Sequence, residues 1–292
     1  MSKIVDIFMP LEAHNEELRG HLARALGWSL DRVGAARILR RSLDARKGRR
    51  MGYRLRVQVA EGSERLSEVL RPLRMRWPAG VAIPRVVIVG SGPAGSWAAL
   101  RLAEGGVAAT ILERGKQVQP RRRDLAELHR GHLNPESNYC FGEGGAGTYS
   151  DGKLYTRSKD RNGVAEILAD LVKLGACQDI EFESRPHIGS NRLPRVLENL
   201  RAHLQAWGVR YQFECRFRGV RSERGIVRAV LTDAGEIPAD IVVLAPGHSA
   251  RDVYAWAANG LMALERKDFA VGVRIEHPQA VIVNQPPELP AE

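Results

Sequence analysis

The sequence predicts an α/β fold in which a doubly wound parallel sheet follows a small, basic α+β domain. Three observations predict it. The apolar run Val86–Val89 leads straight into Gly90-Ser91-Gly92-Pro93-Ala94-Gly95. A helical stretch then joins that turn to a second apolar run, Val107–Leu112, which closes on Glu113. Residues 1–80, ahead of both, combine alternating apolar positions with one amphipathic helix and an excess of positive charge.

The glycine turn carries the chemistry. In a strand–turn–helix unit with G-x-G-x-x-G spacing, the first glycine (Gly90) permits the tight turn. The second (Gly92) lets a pyrophosphate approach the backbone, and the third (Gly95) lets the helix pack close on the strand. Ser91, Pro93 and Ala94 complete the loop. The helix N-terminus offers free N–H groups and the positive end of the helix dipole to the phosphates. Glu113 follows Gly90 by 23 residues, the place where an acidic side chain meets a ribose. A lone glycine pattern is weak, but strand, turn, helix, strand and acid in this order point to adenine-dinucleotide binding.

Composition bounds the rest. A chain of 292 residues that is 44% hydrophobic has enough apolar surface for one large or two smaller domains. No apolar run reaches the length of a membrane span, and the first residues lack the apolar region of a signal peptide. Cys140, Cys177 and Cys215 stand far apart without C-x-x-C or zinc spacing, so no metal site is expected and the setting reads as reducing and cytoplasmic. Net charge is +10, and residues 1–80 hold 17 Lys+Arg against 9 Asp+Glu. Arg40, Arg41, Arg46, Lys47, Arg49, Arg50, Arg54 and Arg56 form a dense cluster suited to an anionic partner. Tyr53 is the one aromatic residue near it, which argues against nucleic acid and for a solvated face.

The expected elements run in order. Residues 3–9 form a strand ended by Pro10, and 14–26 a helix with Leu18, Leu22, Ala25 and Leu26 on one face. Ala36–Arg41 and Met51–Ala60 are strands, the second burying Tyr53, Leu55, Val57 and Val59. Ser63 caps a helix to about Leu73. Trp77-Pro78-Ala79-Gly80 is a linker, so the first domain covers 1–78 and the nucleotide domain 84–292. Residues 163–174 form a helix with Val164, Ile167, Leu168, Leu171 and Leu174 on its apolar stripe. Another helix spans 193–207 and ends at Gly208. Strands follow at 209–217, 226–232 and 241–245, the first two as a hairpin meander. Ala255–Leu264 is a helix, Phe269–Ile275 a strand, and the tail with Pro286, Pro287 and Pro290 is irregular.

Two further motifs bear on the site. Phe141-Gly142-Glu143-Gly144-Gly145-Ala146-Gly147-Thr148-Tyr149-Ser150-Asp151-Gly152-Lys153-Leu154 places five glycines in twelve residues. Successive N–H groups in such a loop make an anion nest, and Thr148, Ser150 and Lys153 add donors. The loop is read as lying along the pyrophosphate and ribityl part of a flavin. The third motif, Ala239 to Ser249, runs an apolar strand into Ala245-Pro246-Gly247, where small residues allow close approach to a cofactor. FAD is preferred to NAD alone because an NAD-only domain needs neither motif.

The stretches Ile38–Lys47, the glycine turn, Asn138–Arg157, Pro186-His187-Ile188-Gly189, Leu244–Asp252 and Gly272–Gln279 occur together and in order. On them the chain resembles the bacterial predicted FAD-dependent dehydrogenases, also described as NAD(FAD)-utilising dehydrogenases. The resemblance implies a glutathione-reductase-like FAD/NAD(P)-binding fold and an oxidoreductase passing hydride between FAD and an unidentified small substrate or NAD(P)H. It puts Gly90, Gly92 and Gly95 at the diphosphate and Glu113 at the adenosine ribose. Arg114 and one of Arg121–Arg123, with Arg122 preferred, fall near the adenosine or phosphates, and Phe217 falls at the adenine. Gly144, Gly145, Ala146, Gly147, Thr148, Ser150, Ala245 and Gly247 complete the expected cofactor contacts.

Phe217 is bulkier than the usual valine, Ser190-Asn191 stands in place of Thr-Asp, and Pro246 in place of threonine. In the family, Gly272–Gln279 lies near mid-chain, so the resemblance implies that a C-terminal half is missing and that a separate C-terminal chain is a candidate partner. The rival reading is a flavin-fold binding or regulatory module that meets nucleic acid or an acidic partner through its basic domain. No catalytic residue is assigned. His187, His248, His277, Asp151 and Lys153 are the candidates, and each histidine reads better as a surface or structural residue.

Overall fold

The computed structural model describes residues 2–66, 76–150, 152–259, 262–268, 272–273 and 275–283. Contacts divide the chain into two units, Met1–Val253 and Tyr254–Glu292. The first unit holds three sheets.

The N-terminal sheet is antiparallel, in the order β1-β3-β2, from β1 (Lys3–Pro10), β2 (Val33–Asp44) and β3 (Gly52–Glu61). Alternation decides its faces. Ile7, Met9, Leu55, Val57 and Val59 turn inward against helix α1 (Leu18–Leu26), where Leu22, Ala23 and Trp28 join them. Each large aliphatic side chain buried this way contributes about 1.5–3 kcal/mol. Helix α1 stops at Gly27, whose φ of 65° is the left-handed conformation that glycine supplies at helix ends. Strand β2 runs longer than the sequence alone predicts, with a register shift between Ile38 and Arg40. Residues 63–66 form no helix, so Ser63 is not a cap, and residues 67–75 lie outside the described residues.

The central sheet is parallel, in the order β10-β4-β5-β6, with β4 (Val86–Val89), β5 (Thr110–Leu112), β6 (Arg210–Gln212) and β10 (Ile241–Leu244). The chain steps from β4 outward through β5 to β6 and then returns to place β10 on the other side of β4. The order reverses beside β4, which makes the carboxyl ends of β4 and β10 the switch point where such sheets bind ligands. Helices α2 (Pro93–Glu104) and α5 (Leu193–Ala206) bury Ala99, Leu100, Leu200 and Leu204 against Val86, Ile88 and Ile111. Proline at the first position of α2 costs no hydrogen bond, because that N–H has no helical partner.

Helix α3 (Val118–His129) follows β5, and α4 (Arg161–Lys173) begins at Asp160, whose carboxylate accepts from the Gly163 N–H. Leu168 and Leu171 of α4 pack with Ile180, Ile188 and Val196, while the expected core residue Ile167 is 42% exposed.

The expected strand 209–217 is two strands. Its first part joins the parallel sheet as β6. Its last residue, Phe217, opens β7 (Phe217–Glu223), which forms a separate antiparallel meander with β8 (Ile226–Thr232) and β9 (Gly235–Pro238). Phe213 to Arg216, with a positive φ at Glu214, break the two apart. Helix α6 spans Arg251–Ala258 rather than Ala255–Leu264. Of the expected strand Phe269–Ile275, residues 269–271 and 274 lie outside the described residues, and Gly272, Val273 and Ile275 are not in a strand. A short helix α7 (Gln279–Val283) follows, which the sequence does not announce. Among the described residues no helix is long and apolar enough to cross a membrane.

The N-terminal sheet meets the α4–α5 connection along β2. The Arg41 N–H donates to Phe182 O at 2.7 Å and the Ser184 N–H to Arg41 O at 2.9 Å. The Arg41 guanidinium bonds Glu183 at 2.6 Å and Asp179 at 2.8 Å.

Candidate dinucleotide-binding site

Three motifs far apart in sequence meet at the carboxyl ends of β4, β5 and β10. The Gly144 N–H donates to Ser91 O at 3.0 Å, and the Ala245 N–H donates to Val89 O at 2.8 Å. The second glycine loop and the end of β10 therefore both lie against the first glycine turn.

The glycines of that turn have different causes. Gly90 has a φ of +103°, and a Cβ there would stand 2.3 Å from Ala245 O. At Gly95 a Cβ would stand 2.0 Å from Gly90 O and 3.2 Å from the Ile88 side chain. Both are forced by the protein's own packing. Gly92 is not. Its φ of −69° suits any residue, and a Cβ would meet only Gly145 Cα, at 3.9 Å. Among the described residues nothing requires glycine at this N-cap, while the N–H groups of Ala94 and Gly95 belong to the first turn of α2, which has no helical acceptor for them. A cradle left open at that point fits a phosphate-bearing group.

Glu113 is buried at the end of β5. One carboxylate oxygen accepts from the Ser91 N–H at 3.0 Å and its hydroxyl at 2.7 Å. The other accepts from the N–H groups of Gly115 at 2.9 Å and Gly142 at 3.0 Å. These donors use the capacity of a carboxylate, so a ribose hydroxyl reaches Glu113 by replacing one of them. The Ser91 hydroxyl is the donor that side-chain rotation can remove.

The glycine loop is organised by a residue the sequence reading placed elsewhere. Arg121, 1% exposed, donates to the carbonyls of Asn138 (2.9 Å), Tyr139 (3.1 Å), Glu143 (2.8 Å) and Gly145 (2.9 Å), and to Thr148 Oγ1 (3.2 Å). Burial pulls its pKa down, while the nearby charge of Glu113 acts the other way. Thr148, fully buried, in turn donates to Glu143 O at 2.8 Å. Arg122, the preferred arginine of the sequence reading, is exposed, with its guanidinium 5.9 Å from the Tyr149 ring. The signal for Arg121 was its position: three residues into α3, it faces inward with Val118, Asp124 and Leu125.

Glu143 caps α3, accepting from the Val118 N–H at 2.8 Å. Its other oxygen stands 3.2 Å from Arg201 Nε, out of line for a hydrogen bond. Burial raises its pKa above the ordinary 4.5, with the Val118 N–H and Arg201 opposing. A raised carboxyl favours the folded state in acid and loses that contribution as pH rises through its folded-state pKa. Glu143→Gln is therefore expected to gain in melting temperature on the parent chain as pH is raised above about 4.5, and to match it below. Parallel thermal melts across that range check this, and a constant difference at every pH would contradict it.

Arg114 belongs to a closed charge ring. It bonds Glu136 at 2.7 Å and Asp252 at 3.0 Å, and Arg216 bonds the same two acids at 2.9 Å each. It also stacks 4.2 Å from the Phe141 ring. Glu136 and Arg216 carry no motif, and only the fold brings them here. Phe217 is buried at the start of β7, just beyond Cys215, whose N–H donates to Glu113 O at 3.0 Å. Pro93 and Ala94 open α2, and Ala146 and Gly147 form a short turn that ends at Thr148. Ser150 donates to Gly147 O at 2.7 Å within its own loop, and Gly247 is exposed with open space around it. The backbones of Lys153 and His187 pair in an isolated antiparallel β-bridge, and His248 Nε2 lies 3.2 Å from the Ser249 hydroxyl. His187, His248 and His277 are exposed, and Asp151 lies outside the described residues.

Comparison with known proteins agrees with this geometry. Residues 84–134 match the family described as FAD binding domain, and residues 1–60 match a domain of unknown function, DUF8436. A Clostridium beijerinckii protein described as uncharacterized is 34% identical over 97% of this chain, and the chain spans 56% of that relative's length. Among solved structures, L-amino acid deaminase from Proteus vulgaris is 17% identical with a TM-score of 0.34, covering 65% of this chain and 53% of its own. Glycine oxidase from Bacillus cereus is 15% identical with a TM-score of 0.32, covering 57% of this chain and 56% of its own. Likeness at those scores has no bearing on function. Residues 84–134 are thus the part of this chain that matches the FAD binding domain family.

Proposed function

We propose that this chain is the FAD-binding part of an oxidoreductase that passes hydride between the flavin and an unidentified small organic substrate or NAD(P)H. The observation that carries the reading is Gly92, a glycine without a structural cause, set at the N-terminus of α2 beside the second glycine loop. FAD when bound supplies the reversible uptake of hydride, and the protein orients and tunes it. The α2 N-terminus would hold the diphosphate through backbone N–H groups. Glu113 would take the adenosine ribose once the Ser91 hydroxyl turns away. Arg121, behind the 138–148 loop, keeps that loop's carbonyls turned inward and so holds the loop in the shape a ligand would meet. The domains 1–78 and 84–292, the cytoplasmic setting and a separate C-terminal polypeptide belong to the same proposal.

The visible spectrum of the purified chain, with HPLC of the released cofactor, tests it. A flavin spectrum, released FAD, and bleaching by NADH or NADPH are the expected results. A protein that stays colourless after added FAD overturns the reading for this chain.

A further inference from the structure

We propose that the outer face of the β1-β3-β2 sheet binds single-stranded nucleic acid. The inner face is taken by α1. The outer face presents Ile4, Asp6 and Phe8 from β1, Arg54, Arg56 and Gln58 from β3, and Arg40 and Ser42 from β2. The register sets them in rows: Phe8 opposite Arg54 opposite Ser42, and Asp6 opposite Arg56 opposite Arg40.

Two features of these rows call for an outside anion. Arg40 and Arg56 are directly opposed, and like charges in that position repel. The acids on the face itself are few and shared. Asp6 holds Arg56 at 2.8 and 2.9 Å, while Asp44 is shared by Arg46 and Arg54. Residues 33–61 hold nine Lys+Arg against Asp44 and Glu61; Arg41 and Arg50 draw on Glu183, Asp179 and Glu12 from outside the hairpin, and Arg40 donates to the Ser184 hydroxyl at 3.1 Å. The arginine heads remain in solvent, with Arg54 58% and Arg56 55% exposed. They alternate along β3 about 7 Å apart, so each can address a separate phosphate of an extended strand.

Phe8 identifies the partner. In sequence it lies far from the arginines. Strand order brings it beside Arg54, and its ring lies over Gly52, where a Cβ would come within 2.5 Å of it. It is 37% exposed. An aromatic platform flanked by arginines is how unpaired bases are held, by stacking with phosphate contacts alongside. Duplex DNA fits poorly, because its major groove admits a helix or a two-stranded ribbon rather than a three-stranded face.

The test uses the full chain with fluorescein-labelled twelve-nucleotide oligo-U and oligo-dT and a duplex of equal length. Both single strands are expected to bind at about 50 mM salt, with affinity falling as salt rises. Arg54→Gln with Arg56→Gln should reduce the log–log salt slope by about 1.4, two phosphate contacts' worth. Phe8→Leu should weaken single-strand binding about tenfold with the slope unchanged, and Phe8→Tyr should restore it. The duplex should bind at least about tenfold more weakly than the single strands. Circular dichroism melts confirm that each variant is folded. Absence of single-strand binding overturns the proposal. So does equal binding of the duplex with no response to Phe8→Leu, which would mark a general polyanion surface.

Discussion

Arg121→Met is expected to cost about 3–5 kcal/mol of stability and to abolish FAD uptake. The guanidinium is almost wholly buried and supplies hydrogen bonds to four loop carbonyls and the Thr148 hydroxyl. Methionine fills much of the volume but leaves those acceptors unpaired, and a buried acceptor without a donor costs about 1–3 kcal/mol. The sum is less than additive because the loop relaxes toward water. That relaxation is what removes the cofactor contact, since Gly144 and Gly145 lose their position against Ser91 and Gly92. In a domain of this size the melting temperature should drop by roughly 10 °C. Arg121→Lys should recover only part of the loss, because an ammonium has three donors and no planar fork. Thermal melts and FAD titration together check this. A methionine variant that melts with the parent chain would show that the loop is held by other contacts.

Gly92→Ala and Gly95→Ala should separate two roles that the motif presents as one. At Gly95 the added methyl would enter the Gly90 carbonyl, 2.0 Å away, and relief requires α2 to move off β4. Overpacking of that kind costs about 1–3 kcal/mol or more, so the expected result is a destabilised protein with no cofactor. At Gly92 the methyl finds space and an ordinary backbone conformation. Stability should change by less than about 1 kcal/mol, since the entropic gain of alanine offsets its poorer capping. FAD affinity should nevertheless fall about tenfold or more, because the methyl stands where a phosphate would come against the backbone. Denaturation and FAD titration on the two variants give a crossed pattern if this is right. If Gly92→Ala takes up FAD like the parent, the turn is a packing device and the assignment of the diphosphate to it fails.

Much of the first unit was legible residue by residue. Val86–Val89, the glycine turn and α2 stand where spacing put them, because local sterics and helix-end chemistry act within a dozen residues. Alternation found β3 and its buried face for the same reason. Legibility failed where partners decide. Residues 209–217 read as one strand, yet the break at Phe213 to Arg216 follows from two sheets competing for the segment. β6 completes the parallel sheet, and Phe217 pairs with Thr232 in the meander. Ile167 lies on the apolar stripe of α4 but is exposed, because the helix meets its neighbours through Leu168 and Leu171.

The candidate site divides the same way. The sequence by itself determined which turn, which acid and which glycine loop belong to it, since each needs a residue type at a position that short-range geometry prescribes. Only the tertiary structure decided that Arg121 rather than Arg122 turns inward. It likewise closed the ring of Arg114, Glu136, Arg216 and Asp252, and laid Phe8 beside Arg54. Those outcomes depend on which helix face is buried and which strands become neighbours. Strand order and helix packing arise from burial across the whole chain, and no local pattern encodes them.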